Sequence, residues 1–273
     1  MMSEPEWRRL NRANWDERVA IHMAPESDYD THLLRQGNYI LHAIEERELG
    51  PVAGLRLLHL QCHFGVDTLA LAQKGAQVTG LDFSAPAIAA ARSLAAEIGI
   101  EAHFVQSDIY EARAALEGEF DRVFTTWGTI GWLPDIQGWA EVVASLLRVG
   151  GEVYFADMHP AALIFDDDVP GTHGMPGWFA PYFHQGEIVV DDARDYANPV
   201  ARISNIRTHQ FMHPVADVVQ ALLDAGLRLT MLHEHDTLAW KQFGCMVEAE
   251  GGLYRLPDKP WLPLSYSLKA IKP

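Results

Sequence analysis

A rhythm that begins at residue 55 constrains this chain more than anything else in it. Leu55–Leu60 is a short, nearly continuous apolar run, the kind required by a strand covered on both faces. Gly65 leads into a predicted helix over Val66–Lys74, which Gly75 ends. Ala76–Leu81 reads as a second strand. Ser84, with Pro86 in the first turn, then caps a helix that runs to Gly99. The alternation continues with a strand over Glu101–Gln106, a helical stretch over Tyr110–Leu116, a strand over Phe120–Thr126 and a helix from about Ile136 to Leu147. Gly150-Gly151 is expected to turn the chain into a strand over Glu152–Asp157. Strands alternating with helices of this length form βαβ units, whose right-handed crossovers build a parallel sheet.

The flanks depart from that rhythm. Residues 7–50 read as helical, with Trp7, Leu10, Trp15 and Val19 as an apolar stripe broken at Pro25. A second helix is expected from about Leu33 to Leu49, stopped by Gly50-Pro51. Residues 159–186 are rich in Pro, Gly and aromatic side chains, and 187–212 read as two antiparallel strands around Ala197-Asn198-Pro199. Pro214–Ala225 resumes as a helix and Leu227–His233 as a strand, while Leu264–Ile271 is expected to be an antiparallel last strand. The expected fold class is α/β. It is a Rossmann-like, doubly wound, seven-stranded sheet, mostly parallel with an antiparallel last strand, plus N-terminal helices and a β insertion.

The chain's 273 residues, 48% of them hydrophobic, suffice for one elaborated domain. A formal charge of −16, from 21 basic and 37 acidic residues without a basic run, argues against a nucleic-acid partner. Cys62 and Cys245 are too few for a disulfide framework and suit a reducing compartment. The stretch Met1–Arg9 lacks the apolar core of a signal peptide. No apolar run approaches the ~18 residues that span a bilayer. These readings point to a cytoplasmic chain with no membrane partner.

In open parallel sheets a ligand binds beyond the carboxyl ends of the strands. The first strand leaves through Gln61-Cys62-His63-Phe64-Gly65, and the second ends at Asp82-Phe83-Ser84. Asp82 lies about 17 residues past Gly65, close to the spacing of nucleoside-binding βαβ units, and can accept both vicinal ribose hydroxyls. Capping the following helix is the alternative for Asp82, but Ser84 is better placed for that. Asp108-Ile109, after the third strand, can take an adenine amino group and cover the ring face, or simply turn the chain. A dinucleotide fits less well, because pyrophosphate needs glycine where Gln61 and His63 stand.

These turns, in this order, resemble the class I S-adenosylmethionine-dependent methyltransferase family over roughly residues 55–160. Of the family's first-turn glycines Gly65 is retained. His59 stands at the family's acidic place, with Gln61 and His63 at its other two glycines. The run Leu60-Gln61-Cys62-His63-Phe64-Gly65, with Asn14-Trp15-Asp16-Glu17-Arg18-Val19 and Trp132-Leu133-Pro134-Asp135, is similar to one bacterial subgroup. The resemblance implies S-adenosylmethionine as cofactor and S-adenosylhomocysteine as product. It implies a cofactor surface made by Trp15, Gln61, His63, Phe64, Gly65, Asp82, Phe83, Ser84, Asp108, Ile109, Thr125 and Trp127. The Thr125 carbonyl would accept the cofactor's ammonium. Trp127 would shield the sulfonium, or else belong to the core.

The breaks in the strand–helix rhythm divide the chain into an expected N-terminal helical cap (1–50), a cofactor-binding half (51–158), an insertion or lid near the acceptor site (159–212) and the remainder of the domain (213–273). Trp15 and His22 belong to the expected cover over the site. His159 and His184 are candidate general bases, with backbone-held histidine as the rival reading. Trp178, Phe179, Tyr182 and Phe183 either wall an acceptor pocket or pack the insertion. His59, Cys62 and His63 lack a second ligand pair at zinc-like spacing, so no metal is expected. His59 is expected to be buried and hydrogen-bonded, and Cys62 to fill apolar space. The expected function is methyl transfer from S-adenosylmethionine to a small, partly apolar acceptor by direct displacement, with a homodimer left open. The alternatives are a non-catalytic adenosylmethionine-binding module and a nicotinamide-dependent oxidoreductase.

Overall fold

A computed structural model describes residues 4–27, 29, 31–198 and 200–273; Met1–Ser3 and Pro199, used above, lie outside the described residues. Three helices precede the first strand: α1 (Glu6–His22), α2 (Thr31–Arg35) and α3 (Ala43–Glu48). The single helix expected over 33–49 is thus two. Gly37, at φ 72°, ends α2 with its N–H on the Leu34 carbonyl, and the chain restarts at His42, where a capping box with Glu45 opens α3. β1 (Arg56–Leu60), α4 (Val66–Gln73), β2 (Gln77–Asp82), α5 (Ala85–Ile98), β3 (His103–Gln106), α6 (Ala112–Ala115), β4 (Phe120–Thr126) and α7 (Ile136–Leu146) then alternate as the sequence predicts.

β5 (Leu147–Met158) starts before the expected turn and carries Gly150-Gly151 inside it. The reason is pairing: the Gly150 N–H bonds the Lys272 carbonyl and the Lys272 N–H bonds the Gly151 carbonyl. A hairpin of β6 (Phe165–Pro170) and β7 (Pro176–Trp178) occupies part of 159–186, where no strand was expected. β8 (Glu187–Asp191) and β9 (Arg207–Phe211) are the two strands expected in 187–212, joined by a long connection rather than a tight turn. After α8 (Val215–Asp224) and β10 (Arg228–His235), a small sheet of β11 (Thr237–Leu238), β12 (Val247–Glu248) and β13 (Tyr254–Arg255) intervenes before β14 (Ser265–Ile271).

The main sheet has seven strands in the order β10-β14-β5-β4-β1-β2-β3. β1 pairs parallel with β2, and β2 with β3, whereas β14 runs antiparallel to both β5 and β10. This is the Rossmann-like arrangement with an antiparallel last strand.

Contacts divide the chain into two compact units. The first comprises Met1–Ile40, Pro51–Val123 and Glu187–Gln210; the second comprises Leu41–Gly50, Phe124–Gly186 and Phe211–Pro273. The segment 159–212 is therefore shared between them, as is 1–50.

In the first unit, Leu57, Leu58 and Leu60 of β1 are buried with Leu81, Phe104, Leu69, Ile88 and Leu94. α1 departs from the expected apolar stripe. Its buried face is Asn11, Asn14, Arg18, Val19 and His22, while Trp7, Leu10 and Trp15 are only half-buried. The cause is hydrogen bonding to a distant segment. Asn11 exchanges bonds of 2.8 Å with the His209 backbone, Asn14 donates to the Asn205 carbonyl at 2.7 Å, and Glu17 accepts the Ser204 and Asn205 N–H groups. Buried polar groups with such partners escape the desolvation cost that would otherwise exclude them.

In the second unit, α7 and α8 pack together, and fully buried Trp139 meets Phe155 edge-on at 5.6 Å between ring centroids. Tyr154 stacks on Phe124, and its hydroxyl donates to Glu48 at 3.2 Å.

Candidate cofactor site at the strand ends

The β1 exit turn has three left-handed positions, of which only the last is glycine. Gln61 and His63 sit at φ 55° and 50°, the left-handed region where side chains cost on the order of 1 kcal/mol each. Gly65 follows at φ 79° and opens α4. A Cβ there would lie 2.8 Å from the Phe104 ring, and one at Gly80 would lie 2.7 Å from the same ring and 2.8 Å from Cys62 Sγ. These two positions therefore need glycine for packing, whereas 61 and 63 need only the handedness.

Asp82 ends β2 and is 7% exposed. Its Oδ2 accepts the His63 N–H at 2.8 Å and its Oδ1 the Ser84 N–H at 2.9 Å, so one carboxylate ties the β1 turn to the start of α5. Burial pushes this carboxyl up to about 6, against the opposing pull of the Ser84 and His63 N–H groups. Ser84 caps α5 through Ala87 N–H, and its hydroxyl donates to Asp16 at 2.6 Å. Phe83 links the two residues, its carbonyl accepting from Gln106. Asp108 caps Tyr110 at 2.9 Å and pairs with Arg8 at 3.1 Å, while Ile109 beside it is buried.

Three N–H groups of the turn are already committed. Cys62 donates to Leu81 O, His63 to Asp82 and Gly65 to Cys62 O. A pyrophosphate would have to compete for them, whereas a nucleoside with a sulfonium and an ammonium needs acceptors, which Asp82 and His63 offer. The residues present fit the second ligand class.

His59 is buried with Nδ1 2.8 Å from Thr68 Oγ1, and burial drives it down to about 3, so it is neutral. Cys62 is buried and a free thiol. Among the described residues no group of three or more His, Cys, Asp or Glu side chains is arranged to hold a metal ion.

Around His63 lies a network that the sequence did not signal. His63 Nε2 is 2.8 Å from His22 Nδ1, His22 Nε2 is 3.0 Å from Asp195 Oδ2, and Arg18 donates to the same oxygen at 2.8 Å. Trp15 meets His63 edge-on at 5.4 Å, Phe64 meets it at 4.7 Å and Tyr29 at 6.0 Å. The Tyr29 and Tyr196 hydroxyls are 2.7 Å apart. His22 and Asp195 are 173 positions apart, so no local motif could have announced their pairing.

In the second unit, Thr125 and Thr126 end β4 buried, and Trp127 turns away at φ 55°. Asp157 holds this turn. Its oxygens accept the N–H groups of Gly128 (2.6 Å), Thr129 (3.0 Å) and Met158 (2.7 Å) and the Thr129 hydroxyl (3.2 Å). Its signal in the sequence was an acid at the carboxyl end of a strand, the same signal that singled out Asp82. Trp127 packs edge-on against Trp240 at 6.0 Å and His42 at 5.7 Å, as part of an apolar cluster with Met158 and Leu238.

His159 is 4% exposed, with Nδ1 accepting the Ala161 N–H at 3.0 Å and Nε2 3.0 Å from Glu234 Oε1. Both ring nitrogens are occupied, which is the arrangement of a held histidine rather than of a free base. His184 is half-buried just past the turn at Tyr182-Phe183, its N–H on the Pro181 carbonyl. Phe183, Trp178 and Phe179 are exposed, Phe183 to 79%, while the Tyr182 hydroxyl accepts the Val215 N–H.

Residues 57–151 match a family model described as a methyltransferase domain. The ubiquinone biosynthesis O-methyltransferase of Cronobacter sakazakii is 33% identical over 126 residues, 44% of this chain and 51% of that one. The enzyme of the same description from Escherichia fergusonii is 32% identical over 126 residues, 44% of this chain and 52% of its own. The chain thus spans about half the length of these curated relatives. An S-adenosylmethionine-dependent methyltransferase from Mesorhizobium loti superposes with a TM-score of 0.59 at 20% identity, covering 84% of this chain and 95% of that one. Magnesium protoporphyrin IX methyltransferase from Synechocystis PCC 6803, with bound S-adenosylmethionine, gives 0.55 at 16% identity over 100% of both chains. The fold of this chain is therefore the class I methyltransferase fold, with a methyltransferase domain matched over residues 57–151.

Proposed function

We propose that this chain transfers the methyl group of S-adenosylmethionine to a small-molecule acceptor, leaving S-adenosylhomocysteine. The observation that carries the reading is the junction of the β1 turn with Asp82. Two side-chain-bearing residues accept left-handed strain there so that the turn keeps its course beside a buried carboxylate. The match over 57–151 supports it. In this reading Asp82 accepts the ribose hydroxyls, Asp108 and Ile109 receive the adenine, and Trp15, Gln61, His63, Phe64, Gly65, Phe83 and Ser84 shape the surrounding surface. Thr125 and Trp127 are proposed for the methionine end on the family resemblance. Membership of one bacterial subgroup is part of the same proposal, and the run Leu60-Gln61-Cys62-His63-Phe64-Gly65 is what supports it.

The bound cofactor supplies an activated methyl on a sulfonium. The chain's own part is to hold the nucleoside, align the partners and exclude water. His159, tied at both nitrogens, is not proposed as a base. His184 is the remaining candidate where the nucleophile carries a proton. Residues 187–210, bonded to α1, are proposed to cover the β1 turn. Exposed Trp178, Phe179 and Phe183 support a partly apolar acceptor, and two free thiols support action in the cytoplasm.

Calorimetry tests the reading. S-adenosylhomocysteine should bind, and Asp82→Ala should weaken it about tenfold or more, as loss of charge-assisted hydrogen bonds requires. Binding of NAD instead would overturn it. A labelled-methyl screen against a metabolite library then separates an enzyme from a non-catalytic binder, which would transfer label to nothing.

A further inference from the structure

The network behind His63 fixes which of its nitrogens carries the proton. Asp195 is an acceptor on both oxygens: Oδ1 takes the N–H groups of Ala197 (2.8 Å) and Asn198 (3.1 Å), and Oδ2 faces Arg18 and His22. Burial alone would raise this carboxyl, but the His22 bond, the backbone donors and Arg18 together hold it below its usual value, so it is ionised. A carboxylate can only accept, so His22 Nε2 carries its hydrogen. Burial outweighs the Asp195 attraction and keeps His22 neutral, which leaves its Nδ1 a bare lone pair. His63 Nε2, 2.8 Å away, must then be the donor. Burial, with His22 and Arg18 nearby, holds His63 neutral as well. Its Nδ1 is consequently an acceptor whose partner is not found among the described residues.

We propose that His63 Nδ1 accepts a hydrogen bond from the ammonium of the cofactor's amino-acid end, and that Arg18, Asp195 and His22 are positioning residues that hold it in that acceptor form. The inference rests on the adenosylmethionine reading above. Asp82 suits the vicinal hydroxyls of the ribose, and the ammonium is the donor of the cofactor that has three N–H bonds to place. The rings of Trp15, Phe64 and Tyr29 surround the imidazole at 4.7–6.0 Å, and aromatic surfaces favour a cation over a neutral donor. His59, standing where the family has an acid, is buried on Thr68, so a neutral imidazole further along the turn takes over as acceptor.

The relay makes a sharp demand on one substitution. In Asp195→Asn the side-chain oxygen must stay on the Ala197 and Asn198 N–H groups, which turns the amide NH2 toward His22. His22 then has to accept at Nε2 and donate from Nδ1, so His63 accepts at Nε2 and carries its proton on Nδ1. A near-isosteric change two residues along the relay thus converts the acceptor into a donor facing the ammonium.

Two ligands separate this from simple loss of structure: S-adenosylhomocysteine, and methylthioadenosine, which has the same nucleoside but no amino-acid end. Asp195→Asn and His63→Gly should each weaken S-adenosylhomocysteine about tenfold or more while changing methylthioadenosine less than about twofold. His63→Gly keeps the left-handed backbone, so it remains informative if the Asn variant fails to fold. His63→Asn, which tolerates that backbone and offers a carbonyl, should restore part of the affinity. Nitrogen-15 shifts should place the His63 proton on Nε2 in the wild type and on Nδ1 in Asp195→Asn. Equal losses for both ligands, an unchanged S-adenosylhomocysteine affinity, or an Nδ1 proton in the wild type overturns the inference while leaving the cofactor reading intact. A wild-type chain that binds neither ligand overturns both.

Discussion

Asp82 is buried, acidic and bonded to two N–H groups at once. Ribose hydroxyls donate only usefully to its ionised form, so bound cofactor and proton compete. With the free carboxyl at about 6, S-adenosylhomocysteine affinity should be level above about pH 7 and fall by up to about tenfold per pH unit below 6. Calorimetry from pH 5 to 8 reads this directly, and Asp82→Asn should be weaker but flat over the same window. Asp82 was legible in the sequence because a strand's carboxyl end is a predictable place. The state of His63 was not, since it depends on His22 and Asp195, 41 and 132 positions away in the numbering, and pairing across such separations leaves no periodic trace.

Among elements, the β1–α4 corner depends on close approach rather than on loop flexibility. Gly65→Ala forces a Cβ to within 2.8–3.0 Å of Phe104 and Ala91 at a left-handed φ, and should cost about 2–4 kcal/mol in urea unfolding. Gln61→Gly relieves the strain of a side chain at φ 55°, and the backbone part of its effect on urea unfolding should be stabilising by up to about 1 kcal/mol. In the second unit, Asp157→Asn turns an NH2 toward N–H donors at the β4 turn and should cost about 2–4 kcal/mol by the same measurement. The core βα elements were readable because burial on both faces leaves continuous apolar runs. The hairpin of β6 and β7 and the small sheet of β11–β13 were not, since β6 is built on the acidic run Asp166–Asp168 and the others have only two or three residues each, too few to show an alternation. The polar face of α1 was misread for the opposite reason: a helix that buries hydrogen-bonded side chains inverts the apolar-stripe rule.

At the scale of the whole molecule, acid stability follows from the balance of buried titrating groups. His22, His59, His63, His159, His213 and His235 all lie below the usual imidazole value, chiefly through burial. Unfolding lets each take up a proton below about pH 6.5, so their contribution is present above that pH and is lost as pH falls. Asp82, Asp108 and Asp157, raised by burial, act in the opposite sense, since protonation relieves them. Six groups oppose three, and the urea midpoint should decline steadily from pH 7 to pH 5. A rising midpoint over that range would show that the aspartates dominate.

The bonds that fasten α1 have a consequence in time. Asn11 reaches a partner 198 positions later and Arg18 one 177 positions later. On a ribosome adding about 5–20 residues per second, the first helix waits roughly ten to forty seconds for the segment that neutralises its polar face. During that interval Asn11, Asn14, Arg18 and His22 stay in water, which suits them. An apolar face in the same place would have been exposed to every neighbouring nascent chain. The helix is made long before its partners, and its unusual polarity is what lets it wait.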